Sequence, residues 1–102
     1  MSNLLKKKLQ GTDWQIGEAA DFLQLSTEES ALIDIRLSLA QAAKQSRVEH
    51  ELSQIELAKR MKSSQSRIAK IEAADPSVSI DLMVRALLAS GAGRADLARA
   101  LR

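Results

Sequence analysis

The sequence predicts an all-α fold, and three observations carry that prediction. Leu, Ile and Ala dominate the apolar residues, while Trp14 and Phe22 are the only aromatics. Strands favour β-branched and aromatic side chains, whereas alanine and leucine favour helices. Pro76 is the one proline, and all four glycines lie outside residues 18–90. The strongest helix breakers are therefore almost absent from the middle of the chain. Apolar residues then recur there at intervals of three and four, the period of a helix with one buried face. A chain of 102 residues is expected to form one compact domain, with little room for a separate sensor.

Residues 1–25 read as a short N-terminal arm. Leu4, Leu5 and Leu9 flank Lys6, Lys7 and Lys8, and Gly11 and Gly17 interrupt the stretch after them. Glu18 to Leu25 can form a short helix with Ala19, Phe22 and Leu23 on one side. The lysine run suits either a solvated tail or an arm that touches a polyanion. Trp14 and Phe22 suit local packing more than a partner contact.

Residues 26–102 read as a five-helix unit. The first helix starts at Ser26, where Glu29 completes a capping box: the hydroxyl takes the N3 amide and the carboxylate returns to the cap amide. Glu28 and Glu29 also suit the positive end of the helix dipole. Leu32, Ile35, Leu39 and Ala42 then come at helical spacing, with Ile33, Leu37 and Ala40 beside them. That face is wide enough to meet the core on one side and the arm or a partner on the other. The helix should end near Arg47 to His50.

The next start is marked twice. Ser53 and Glu56 form a second capping box, and Leu52 and Leu57 can close a hydrophobic staple across it. This helix should stop near Lys62, since Ser63 and Ser64 offer a new cap. Ser64 opens a third helix with Ile68 and Ile71 turned inward. Ala73-Ala74-Asp75-Pro76-Ser77 reads as a loop. Ser79 caps a fourth helix carrying Ile80, Met83, Val84, Leu87 and Leu88, with Val78 and Met83 placed as a staple. Gly91 and Gly93 end it, and Arg94 to Leu101 forms a fifth.

Composition excludes several functions. There is no cysteine, so disulfides and thiolate metal sites are ruled out. His50 is the single histidine; no metal site or cofactor is expected around it, and no nucleophile setting for an enzyme is recognisable. No apolar run approaches the roughly 20 residues of a membrane span. The lysine run near the start precedes polar residues rather than an apolar stretch, so a cytoplasmic protein is expected. Net charge is only +2, but it is unevenly spread. Residues 18–34 hold five acids and no base, while residues 59–70 hold Lys59, Arg60, Lys62, Arg67 and Lys70 and no acid. A basic face of that kind favours a polyanion.

Two short helices crossing at a tight turn need a small residue at the crossing, here Ala58, and a shared apolar seam, here Leu57, Met61, Ile68 and Ile71. With that seam inward, Gln65, Ser66, Ala69, Lys70 and Ala73 face out. A glutamine can donate and accept across an adenine edge in the major groove, and a lysine can donate to guanine or phosphate.

The run Ser53-Gln54-x-x-Leu57-Ala58-x-x-Met61-x-x-Ser64-Gln65-x-x-Ile68-x-x-Ile71-Glu72 resembles the XRE family, the helix-turn-helix of Cro and the phage repressors. The likeness is closest over the motif at 53–73, and the flanking helices extend it over roughly residues 28–102. It implies a lambda-repressor-like five-helix DNA-binding domain. Gln54 would then bind a backbone phosphate and brace Gln65. Gln65, Ser66 and Lys70 would address base edges, and Arg67 would contact phosphate. Ser64 would cap the recognition helix, residues 64–73, and share a phosphate. Lys59, Arg60 and Lys62 would add salt-sensitive attraction. Glu72 suits a hydrogen bond or ion pair within the domain. Lys62 departs from the family, which has glycine there because the turn takes a positive φ; a non-glycine residue costs on the order of 1 kcal/mol. Ser63 is also more polar than the family's usual Val or Ile.

The resemblance implies a sequence-specific regulator of transcription, expected to be a repressor that binds double-stranded operator DNA as a homodimer. The dimer seam is expected to use Arg94 to Leu101 with part of the preceding helix, because Leu97 and Leu101 need cover. Two alternatives stay open. One is an antitoxin that binds a cognate toxin and represses its own operon. The other is a protein-interaction module that keeps the fold without DNA binding.

Overall fold

The computed structural model describes residues 26–102. The expectations for the arm at 1–25, including a helix at 18–25 and roles for Lys6 to Lys8, Trp14 and Phe22, lie outside the described residues. Five helices and no strand occur among the described residues: α1 (Thr27–Glu49), α2 (Gln54–Arg60), α3 (Gln65–Glu72), α4 (Ile80–Ala89) and α5 (Arg94–Ala100). The all-α prediction holds in number and order of elements.

The chain divides into two compact units between residues 37 and 38. In the first, the described residues are 26–37, the opening turns of α1. Ser26 caps them as expected: the Glu29 amide donates to Ser26 Oγ at 3.1 Å, and the Ser26 amide donates to a Glu29 carboxylate oxygen at 3.5 Å. The second unit, 38–102, holds the remainder of α1 and all of α2 to α5. There α2 packs on α3, both pack on α4, and α4 packs on α5.

The core of this second unit comprises Leu39, Ala40, Ala43, Leu57, Ala58, Ile68, Ile71, Val78, Met83, Ala86 and Leu87. Every helix except α5 gives it at least two residues. Leu97 of α5 and Met61 in the turn after α2 are half-buried against it. The buried face of α1 runs through Leu39, Ala40, Ala43 and Ser46. That is displaced from the expected Leu32, Ile35, Leu39 and Ala42 stripe, and Leu32 and Ile35 remain exposed. The wide apolar face left two stripes compatible with the sequence. The observed one includes a polar residue: Ser90 Oγ donates to Ser46 Oγ at 2.6 Å, so a serine pair takes a place in the interior.

The ends of four helices share one device. After α1, α2, α3 and α4 the second residue beyond the helix has positive φ: Glu51, Lys62, Ala74 and Gly91. In each case its amide and the next one turn back to carbonyls of the last helical turn, as in Ser63 N to Ala58 O at 2.8 Å and Asp75 N to Lys70 O at 3.0 Å. This is the Schellman arrangement, which satisfies carbonyls that a helix end would leave bare. Lys62 has φ 54°, so the turn keeps the positive φ for which glycine is the usual residue. The side chain changed and the turn did not.

Candidate functional site

The turn between α2 and α3 is built from both sides. On the entry side, Ser53 is the N-cap of α2, and the Glu56 amide donates to Ser53 Oγ at 3.0 Å. The Ser53 amide returns the bond to the Glu56 carboxylate at 3.1 Å. The bond from the Ser53 amide, and after it one from the Ser53 side chain, holds the Glu56 carboxyl below the usual glutamate range, with Arg60 and Lys59 adding smaller attractions. On the exit side, Ser64 caps α3 by accepting from the Arg67 amide at 3.2 Å. Leu57, Ala58, Ile68 and Ile71 then lock the two helices together from beneath. Both capping serines fall where the sequence places them. Helix α2 ends at Arg60 with Met61 as its C-cap, slightly before the expected stop near Lys62.

With the seam buried, α3 presents Gln65, Ser66, Arg67 and Lys70 to solvent. Gln54, at the first position of α2, is half-buried beside them. Gln65 Nε2 donates to Gln54 Oε1 at 2.6 Å, which is the bracing expected of that pair. Gln54 Nε2 in turn donates to Glu72 Oε1 at 3.1 Å. Glu72 is itself gripped by Arg47 through two bonds, Nε to Oε2 at 2.6 Å and Nη2 to Oε1 at 3.1 Å. Arg47 Nη1 also donates to the Leu52 carbonyl at 2.7 Å, which ties the end of α1 to the entry of α2. The side chains of Arg47 and Glu72 are only 12% and 5% exposed. A largely buried ion pair thus underlies the pair of half-buried Gln54 and exposed Gln65.

Beside α3 lies a pocket of about 240 Å³, bordered by Ser64, Ser66, Arg67, Lys70, Ser77, Val78 and Leu82. Two cations and three hydroxyls on its wall, with no carboxylate among these residues, suit an anionic oxygen group. Ser64 Oγ and Ser66 Oγ stand 3.2 Å apart. Ser77 is set by the loop, since its amide and hydroxyl both donate to Asp75 Oδ1, at 2.8 and 2.6 Å.

The nine candidate residues therefore do not all gather at one point. Gln54 and Gln65 meet directly, and Ser64, Ser66, Arg67 and Lys70 line one pocket. Lys59 and Lys62 are exposed around the turn. Arg60 reaches elsewhere: Nη1 donates to the Ala89 carbonyl at 3.2 Å, at the C-terminal end of α4. A guanidinium there satisfies a helix-end carbonyl and suits the negative end of the dipole.

Arg47 and Ser77 were not among the candidates. Arg47 lies 25 residues from its partner, and Lys44 in the same helix was an equal claimant on sequence alone. The usable signal was Glu72, an acid whose place at the end of a buried seam calls for a cation. Among the described residues no cluster of His, Cys, Asp or Glu could hold a metal ion. Nor is any described helix long and apolar enough to cross a membrane.

Residues 44–89 match a family model described as helix-turn-helix. That span opens in α1 and runs to the end of α4, so it covers the whole arrangement from Arg47 to the pocket beside α3. No curated protein and no solved structure matches the chain.

Proposed function

We propose that this protein is a sequence-specific transcriptional repressor of the XRE type, the family of Cro and the phage repressors, whose α3 enters the major groove; the match of residues 44–89 to a helix-turn-helix family supports this reading. The observation that carries the reading is the braced and exposed glutamine at the start of α3, flanked by cations. Gln65 and Lys70 address base edges, with Ser66 beside them. Arg67, Ser64 and Gln54 take backbone phosphates, which fix the register of α3 on the duplex. Lys59 and Lys62 add attraction at longer range. Arg60 contributes through its charge, with its guanidinium seated on α4. The protein acts in the cytoplasm, without cofactor or catalytic step.

The repressor works as a homodimer on a near-palindromic site. Helix-turn-helix dimers place their recognition helices about 34 Å apart, one turn of DNA. Leu88 on α4 and Leu101 just after α5 are 43% and 50% exposed, and a second copy would cover them. Sedimentation at micromolar concentration should give twice the chain mass.

The test is a fluorescence titration against promoter fragments, including the one upstream of its own gene. A tight site that survives physiological salt is expected, with affinity falling steeply as salt rises. Binding that stays weak and indifferent to sequence at physiological salt would remove the repressor reading.

A further inference from the structure

We propose that the buried Arg47–Glu72 pair is a specificity device: it sets which atom of Gln54 faces Gln65, and hence which hydrogen-bonding edge Gln65 shows to a base. The inference rests on the DNA-binding reading above and deepens it. It starts from donor and acceptor chemistry. An ionised carboxylate only accepts, whereas a glutamine amide can rotate and present either oxygen or nitrogen. Glu72, held by two bonds from Arg47, therefore calls for the nitrogen of Gln54, and Gln54 Nε2 donates to it at 3.1 Å. That choice leaves Gln54 Oε1 toward α3. Gln65 must then turn its own nitrogen inward, and Gln65 Nε2 donates to Gln54 Oε1 at 2.6 Å. Each amide in the chain is fixed by the one beneath it.

The consequence falls on the exposed end. Gln65 keeps one N–H and its carbonyl oxygen for the DNA, with the polarity of both decided in the protein interior. Adenine offers the matching edge, an N7 acceptor beside an N6 donor. Guanine offers two acceptors, N7 and O6, and would set its O6 against Gln65 Oε1. An amide free to rotate could instead turn both N–H groups toward guanine. Glu72 and Arg47 are thus positioning residues for base choice, although both side chains are largely buried.

The experiment measures affinity for one duplex site with adenine or guanine at the base that Gln65 faces, found by comparing wild type with Q65A across substitutions in the site. Wild type should favour adenine by roughly tenfold or more. In E72Q the amide at position 72 can rotate, so Gln54 and Gln65 lose their fixed polarity. Most of the preference should vanish while the dependence on salt is unchanged. The double variant E72Q/Q54E restores an acceptor-only group facing Gln65. It should recover the preference, even though a carboxylate near phosphate lowers affinity for every site. A merely structural role for Glu72 predicts neither the selective loss nor the recovery.

Thermal melts confirm that the variants are folded at the temperature used. A further arm needs no variant and no DNA: the side-chain amide protons of Gln65 in the free protein should be shifted and slow to exchange. Unchanged preference in folded E72Q, failure of the folded double variant to recover it, or a freely exchanging Gln65 amide in wild type would each overturn the inference. They leave the repressor reading standing. A wild type without base preference at any position overturns both.

Discussion

At the residue scale, backbone conformation and hydrogen-bond polarity decide more than apolar content does. Gly91 has φ +114°, and a Cβ there would sit 2.7 Å from His50 Cδ2 and Nε2. Replacing it with alanine therefore meets both a strained backbone and an occupied space. Gly91→Ala should lower stability by roughly 1–3 kcal/mol, measured by urea denaturation. The other helix-end residues argue in the opposite direction. Lys62 and Ala74 hold φ near 55°, and glycine relieves a left-handed residue of about 1 kcal/mol. Ala74→Gly should be stabilising by up to that amount, and Lys62→Gly likewise, with the second also flattening the salt dependence of DNA binding. The positive φ at Lys62 was legible because the family likeness marks the position as a glycine site. The equivalent positions Glu51 and Ala74 carry no such mark; acid and alanine in αL are adopted only because the surrounding helices impose the turn. On the DNA face, exchanging Gln65 and Lys70 for alanine should relax base preference by roughly 1–3 kcal/mol, seen as a flattened profile across single-base variants of the site. Exchanging Arg67 should instead weaken all sites alike.

At the element scale, helix starts could be read in the sequence and helix faces only in part. Ser26, Ser53, Ser64 and Ser79 all cap where expected, because a cap is a local exchange between a side chain and amides three residues away. The start of α5 at Arg94 also falls where expected, but without a capping side chain: the Gly93 amide donates to Asp96 Oδ2 at 2.7 Å. The buried stripe of α1 is legible only in part: Leu39, Ala40 and Ala42 meet the core, while Leu32 and Ile35 stay exposed. A face apolar over more than half its circumference does not state which part meets the core. Ser46 is buried with Ser90 across 44 residues of sequence, a contact with no local signature. The same holds for Arg47 and Glu72, which join α1 to α3. Removing one partner leaves a buried charge, so Arg47→Ala should cost roughly 3 kcal/mol or more, read from the unfolding midpoint. The capping box of α2 makes a pH prediction. Its carboxyl is held below the ordinary glutamate range by the Ser53 bonds, so the folded chain binds that proton less readily than the unfolded chain. The box therefore contributes in full above the ordinary glutamate pKa and is lost as pH falls through the lowered one. Glu56→Gln should destabilise the protein at neutral pH and lose its effect in strong acid, and carbon-detected titration of the Glu56 carboxyl should show the lowered midpoint.

At the scale of the whole molecule, the fold exists to hold α3 at a fixed angle with one edge exposed. The core packs beneath α2 and α3, four Schellman ends fix the turns, and the Arg47–Glu72 pair anchors the end of α1 to the end of α3. Ile68 and Ile71 are fully buried on the inner face of α3, so Ile68→Ala should cost about 2–5 kcal/mol and lose DNA binding only as far as it loses fold. The central claim is that the outer face of this helix selects a sequence in double-stranded DNA. It is tested most directly by equilibrating the protein at physiological salt with a pool of random duplexes and sequencing the bound fraction. The account predicts enrichment of a near-palindromic motif with half-sites one helical turn apart, which the Gln65/Lys70 double alanine variant enriches more weakly. A bound fraction with the composition of the starting pool would contradict it.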